Sequence, residues 1–323
     1  MPSIDMPLEQ LRQYKPGLYR ESDFESFWES TTAEALKQQV NAELIPYDLR
    51  TKGLVCYAVR FDGFKGADKQ QQGGRIAGWY VRPETGGKFP GVCIYHGYGG
   101  RGPRPLDMLA LAAQGICVLS MDCRGQNGQS QDAAVYTEGH HQGWMTQGIR
   151  DPRTYYFRYL YADALRALEL LAKRDEVDEG RIAVTGVSQG GGLSLAVAAL
   201  SERPALALPD IPFLCDFRRA IDITPAGPYP EIPAFLKNFP HLYENAIRTL
   251  SYFDNLNLAP WIGCKTIVSN CLCDDICPPS TVFGVYNHVT SEKRIDVYPF
   301  HKHEVPYEHA EARFRAIVET LRP

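Results

Sequence analysis

Apolar residues follow two different spacings along this chain, and the point where one replaces the other divides it. From Pro90 onward, short apolar runs at residues 91–95, 116–121, 182–187, 266–269 and 295–298 alternate with longer stretches at helical spacing, residues 106–113, 155–174, 190–201, 280–288 and 309–321. Short runs of this kind read as strands buried on both faces, and the stretches between them as the helices that cover them. Strand–helix alternation predicts an α/β fold with a mostly parallel central sheet flanked by helices. Before Pro90 the pattern differs. Runs at 54–61 and 75–81, separated by the polar turn ADKQQQGG, predict a hairpin at an antiparallel edge of the same sheet. Residues 1–45 read as a helical extension, with Phe24, Phe27 and Trp28 as anchors behind the start signal Ser22-Asp23. Residues 209–260, rich in proline and aromatics, break the alternation and predict an insertion that caps the carboxyl edge of the sheet. Without an internal repeat or a low-complexity linker, the 323 residues predict a single domain.

Candidate chemistry falls where a predicted strand meets a predicted helix. Gly186-Val187-Ser188-Gln189-Gly190 is a G-x-S-x-G, with the apolar run 182–187 before it and Leu193, Leu195, Ala196 and Val197 after it. That setting is the one a nucleophile elbow needs: a sharp turn exposes the serine hydroxyl, and a helix N-terminus directs N–H groups at developing negative charge. Gly186 and Gly190 support the turn by allowing close backbone approach. A serine needs a base, and the base needs an orienting carboxylate. His301 and His303 both follow the last predicted strand, and Asp274 and Asp275 both follow the strand before it; Asp210, on an earlier loop, is a weaker candidate acid. The second donor of an oxyanion hole is expected in His96-Gly97-Tyr98-Gly99-Gly100, from the backbone N–H of Tyr98, to act with that of Gln189. His96 itself fits a packed, hydrogen-bonded loop residue better than a catalytic one.

Composition narrows the partners. A net charge of −4 gives no electrostatic reason to expect nucleic acid or an anionic membrane. No apolar stretch approaches the roughly 18 residues of a membrane span, and the first residues lack a secretory signal pattern. Nine cysteines, an odd count, fit reduced thiols in a cytoplasmic protein. Cys271, Cys273 and Cys277 are close in sequence but lack a second ligand pair at zinc-site spacing, so no metal is expected there.

Taken together, HGYGGRG, Arg124-Gly125-Gln126, GHHQGWMTQGI, the GVSQG elbow, PFLCDFRRA, ICPPSTVFGVYNH and His303-Glu304 resemble the acetyl xylan esterase / cephalosporin C deacetylase family, carbohydrate esterase family seven, of α/β-hydrolase fold. The resemblance implies Ser188 as nucleophile, Asp274 as acid and His303 as base, with Tyr98 and Gln189 N–H groups as oxyanion donors. It implies Tyr98, Phe213, Pro228, Ile276 and Cys277 as walls of the acyl pocket, and Arg124, Gly125 and Gln126 as loop supports. It further implies deacetylation of small acetylated xylo-oligosaccharides and of cephalosporin C-type esters, no cofactor or metal, and a cytoplasmic homohexamer. An α/β-hydrolase acting on another small ester or a peptide is the competing expectation.

Overall fold

The computed structural model describes residues 4–66, 72–136 and 139–322; residues 67–71 of the turn ADKQQQGG lie outside them. The strands are β1 (Glu43–Tyr47), β2 (Leu54–Asp62), β3 (Arg75–Pro83), β4 (Phe89–Tyr95), β5 (Cys117–Met121), β6 (Val177–Val187), β7 (Pro204–Asp210), β8 (Lys265–Cys271) and β9 (Lys293–Tyr298). They form one sheet in the order β1-β2-β3-β5-β4-β6-β7-β8-β9. The first three strands are antiparallel, β3 joins β5 antiparallel, and every pairing from β5 to β9 is parallel.

The helices are α1 (Leu8–Leu11), α2 (Phe24–Lys37), α3 (Pro105–Ala112), α4 (Tyr156–Ala172), α5 (Gln189–Leu200), α6 (Phe217–Ile223), α7 (Glu231–Asn238), α8 (Tyr243–Phe253), α9 (Asn255–Leu258), α10 (Pro279–His288) and α11 (Tyr307–Leu321). Adjacent strand residues point to opposite faces, and the two cores follow that rule. Val92, Val118, Ala183 and Leu206 pack with Met108 of α3 and Ile317 and Leu321 of α11. Their neighbours Cys93, Leu119, Val184 and Ala207 join the larger core containing α4, α5 and the aromatic anchors of α2.

The sequence-based elements from 91 onward fall within a few residues of the observed ones, apart from β6, which begins at Val177 rather than 182. Two strands escape the sequence pattern, and proline accounts for both. β1 carries Pro46, tolerated because β1 is an edge strand. β7 begins and nearly ends in proline, and its Ala-Leu alternation lacks β-branched residues. Residues 204–210, which overlap the start of the supposed insertion, therefore lie in the middle of the sheet, and α6 to α9 follow them.

Phe24 and Trp28 of α2 are almost wholly buried; the Trp28 indole donates to the Tyr252 carbonyl at 2.8 Å, and the Phe27 and Tyr252 rings lie 4.6 Å apart. Burying each such ring contributes about 2–3 kcal/mol. The N-terminal segment is thereby fixed to α8, and through α8 and α9 to the helices beside the site. Among the described residues, no helix is long and apolar enough to cross a membrane.

Candidate active site

Ser188 sits between β6 and α5 with φ +57° and ψ −117°, a conformation that costs a non-glycine residue strain. The surrounding backbone holds it there. Its N–H donates to the Asp210 carbonyl at 2.9 Å, and its own carbonyl accepts from Gly192 and Phe213 at 3.0 and 2.9 Å. The flanking glycines are required by space. A Cβ on Gly190 would lie 2.1 Å from the Tyr95 carbonyl oxygen, and one on Gly186 would lie 2.5 Å from the same oxygen. Both neighbours are backbone and cannot yield. Gly190→Ala is accordingly expected to displace the elbow from β4 and lower stability by about 2–4 kcal/mol, read as a shift in urea midpoint.

The two pairs of candidates left open by the sequence separate in the structure. Asp274 is fully buried, and its Oδ2 lies 2.8 Å from His303 Nδ1. Its Oδ1 accepts the N–H groups of Ile276 and Cys277 at 2.9 and 2.8 Å, so the carboxylate is fixed by its own turn. Asp275 is partly exposed beside it. His301 bonds instead to Glu304, at 3.0 Å on the surface. The Cys277 thiol neighbours the Ser188 side chain and lies within 4.8 Å of the facing ligand atoms of Asp274 and His303. Elbow, imidazole and acid therefore meet around that thiol. Burial pushes the thiol well above its ordinary pKa, so it stands neutral beside the serine.

Asp210 belongs to a different pair. Its buried carboxylate accepts from His309 Nε2 at 2.7 Å, from Arg313, and from Ser269 Oγ at 3.4 Å, while His309 Nδ1 faces the Tyr298 hydroxyl at 2.9 Å. The weaker candidate acid is thus a tie between β7, β9 and α11, directly under the carbonyl that holds the Ser188 N–H.

Gly97 lies against the elbow: a Cβ on it would come within 3.7 Å of the Ser188 Cβ. His96 is buried and packed, bonded to the Gly97 carbonyl at 2.7 Å through Nδ1 and accepting the Cys123 N–H at 2.8 Å through Nε2; burial lowers its pKa and keeps it neutral. The supporting triplet has separate tasks. Gln126 joins the two halves of the site: its Oε1 accepts the Gly99 N–H and its Nε2 donates to the Gln189 side chain, both at 2.9 Å. Arg124 is completely buried and grips Asp163 through two bonds of 2.7 and 2.9 Å. Gly125, at φ +62°, turns the chain between them, where a Cβ would touch Asp132 at 2.9 Å.

Of the wall residues, Phe213 is buried with its ring 6.0 Å from that of Tyr98, and Cys277 lies beside Ser188. Ile276 packs against Gly227, next to Pro228.

Glu231, at the start of α7, was not foreseen from sequence. It accepts the Tyr98 hydroxyl at 2.8 Å and the Met145 N–H at 3.1 Å, and burial pushes its carboxyl up. Trp144 packs edge-on against Tyr98, with ring centroids 5.1 Å apart. The only sequence trace of this latch is Gly143, whose Cβ would strike the Glu231 carboxylate at 2.2 Å. Glu231→Ala is expected to loosen the Tyr98 loop and speed amide exchange at Tyr98 and Gly99 about ten- to a hundredfold, read by hydrogen–deuterium exchange.

A parallel sheet with a strained strand–helix serine and a His–Asp pair on the loops after later strands defines the α/β-hydrolase fold. The acetyl xylan esterase (AXE1) family profile matches residues 1–319, and the chain belongs to that family. It is 43% identical to an acetyl xylan esterase from Paenibacillus sp. R4, over 97% of this chain and 99% of that one, with a TM-score of 0.91. Acetyl xylan esterase 1 from Thermoanaerobacterium sp. JW/SL YS485 is 35% identical, over 98% and 100% of the two chains, with a TM-score of 0.92. An acetyl esterase, Axe7A, from Xylanibacter ruminicola is 28% identical across 90% of this chain, which spans 65% of that relative's length.

Proposed function

We propose that this protein is a serine esterase that removes acetyl groups from small acetylated carbohydrates, xylo-oligosaccharides among them, and from cephalosporin C-type acetyl esters. The observation that carries the reading is the fully buried Asp274 carboxylate, 2.8 Å from His303 Nδ1, beside an elbow serine in strained backbone. Asp274 holds Nδ1–H and leaves Nε2 free to accept the Ser188 proton. The alkoxide attacks the acetyl carbonyl, and the oxyanion is taken by the N–H groups of Tyr98 and Gln189. His303 returns the proton to the departing sugar oxygen, and water then releases acetate from the acetyl-serine by the same route.

Phe213 and Cys277 beside the serine, with Ile276 preceding Cys277 on the same turn, favour a short acyl group. Acetyl esters should be hydrolysed at least about a hundredfold faster than octanoyl esters in kcat/KM, because a narrow pocket excludes added methylenes; equal rates would remove the acetyl assignment. The carbohydrate part is tested by acetate release from acetylated xylo-oligosaccharides, with fluorophosphonate labelling mapped to Ser188. Ester hydrolysis without acetate from any acetylated sugar would leave an esterase of another substrate. The family resemblance also supports a cytoplasmic homohexamer, and light scattering that gives a monomer would remove that assembly.

A further inference from the structure

Cys277 is the feature the esterase reading does not use as chemistry. We propose that Cys277, His303 and Asp274 form a capture site for a thiophilic divalent cation, zinc above all, whose binding reversibly shuts the enzyme off. One ligand atom from each of the three, a sulfur, a nitrogen and an oxygen, lies within 4.8 Å of the other two. The mixed donor set matters. Sulfur with imidazole suits zinc and its soft neighbours, whereas calcium and magnesium seek oxygen alone. Zinc–sulfur bonds near about 2.3 Å and zinc–nitrogen or zinc–oxygen bonds near about 2.0 Å place tetrahedral donors roughly 3.3–3.6 Å apart. Donors as far apart as 4.8 Å need to close by about 1.2–1.5 Å, and Asp274 Oδ2 and His303 Nδ1, at 2.8 Å, need to part by about 0.5 Å, both within reach of side-chain torsions.

The turn that carries them is already set. Asp274 Oδ1 accepts the N–H groups of Ile276 and Cys277, so carboxylate and thiol are held on one tight loop. Access comes from one side, because the Asp274 and Cys277 side chains are fully buried while the His303 ring is 18% exposed. The close spacing of Cys271, Cys273 and Cys277 in sequence misleads here. The other two thiols turn away, Cys271 towards the Glu304 carbonyl and Cys273 towards that of Pro299. The fourth position is on the side of Ser188, whose side chain neighbours the thiol. In binding, the thiol gives its proton to solvent, the ring proton held by Asp274 moves to His303 Nε2, and the cation takes lone pairs from the sulfur, Nδ1 and the carboxylate. No electron is transferred, and a chelator reverses the step.

The inhibitory consequence rests on the reading of His303 as the base for Ser188; binding itself does not, so the two are measured apart. Cadmium chloride is titrated into the protein and the ultraviolet thiolate-to-cadmium charge-transfer band is followed. The band is expected in the wild type and in Cys264→Ser, and absent in Cys277→Ser and Cys277→Ala. Zinc chloride is then titrated during p-nitrophenyl acetate hydrolysis, each variant being scored against its own metal-free rate. Wild type should be inhibited and recovered by EDTA, calcium and magnesium should have no effect, and both Cys277 variants should need at least about tenfold more zinc. A band that survives in both Cys277 variants, or never forms, overturns the site. Unchanged zinc sensitivity in both variants overturns it as the cause of inhibition. A normal band on a protein that hydrolyses no ester leaves the site standing and removes the esterase reading instead.

Discussion

Replacing Ser188 by alanine is expected to slow p-nitrophenyl acetate hydrolysis by roughly 10⁵-fold while leaving the melting temperature within a few degrees of wild type. The loss is large because no second hydroxyl occupies the elbow, and the oxyanion donors alone retain only about 10³–10⁴-fold over water. The fold survives because the hydrogen bonds that fix the backbone of residue 188, to Asp210, Gly192 and Phe213, do not involve the side chain. Alanine meets the same strain at φ +57° as serine, so no relief is gained. Stopped assays with calorimetry on the same sample separate the two readings. Wild-type turnover in the variant would end the nucleophile assignment.

The largest effect on stability is expected at Arg124. Changing it to methionine should lower the unfolding free energy by about 3–5 kcal/mol, because the fully buried Asp163 carboxylate loses the partner that compensates its charge. Asp163 would keep the Phe64 N–H at 2.7 Å, which does not neutralise it. Arg124→Met combined with Asp163→Leu should cost clearly less than the sum of the two single changes, since the pair is then replaced by apolar bulk. Urea unfolding of the four proteins completes the cycle; strict additivity would show that the two side chains do not act as a pair. The Tyr156 hydroxyl bonds the Arg124 carbonyl at 2.6 Å and Gln126 at 3.0 Å, so activity should fall in the same variants.

The elbow was legible in the sequence because its chemistry, its glycines and its change of periodicity coincide within a dozen residues. The alternating half of the sheet was legible for a similar reason: its strands are continuous apolar runs. What could not be read depended on distance or on loop shape. His301 and His303 are two residues apart on one loop, and only the path of that loop sends one to Asp274 and the other to Glu304. The Tyr98–Glu231 and Asp210–His309 bonds span 133 and 99 residues, and neither glutamate nor histidine carries a local signal for its partner. The strand at 204–210 was hidden by its own prolines, which argue against a central strand unless the partner register spares their missing N–H; no pairing with β8 falls at Pro209.

The tie between Asp210, His309 and Arg313 has a consequence for the order in which the molecule matures. During synthesis the serine turn leaves the ribosome well over a hundred residues before the helix Tyr307–Leu321 that completes its underside. Until that helix docks, a carboxylate destined for the interior has neither of its cationic or imidazole partners, and the peptide plane gripping residue 188 has no fixed seat. Hydrolytic competence should therefore arrive abruptly once that helix has emerged and docked, which keeps a chain still lacking it from attacking esters it meets.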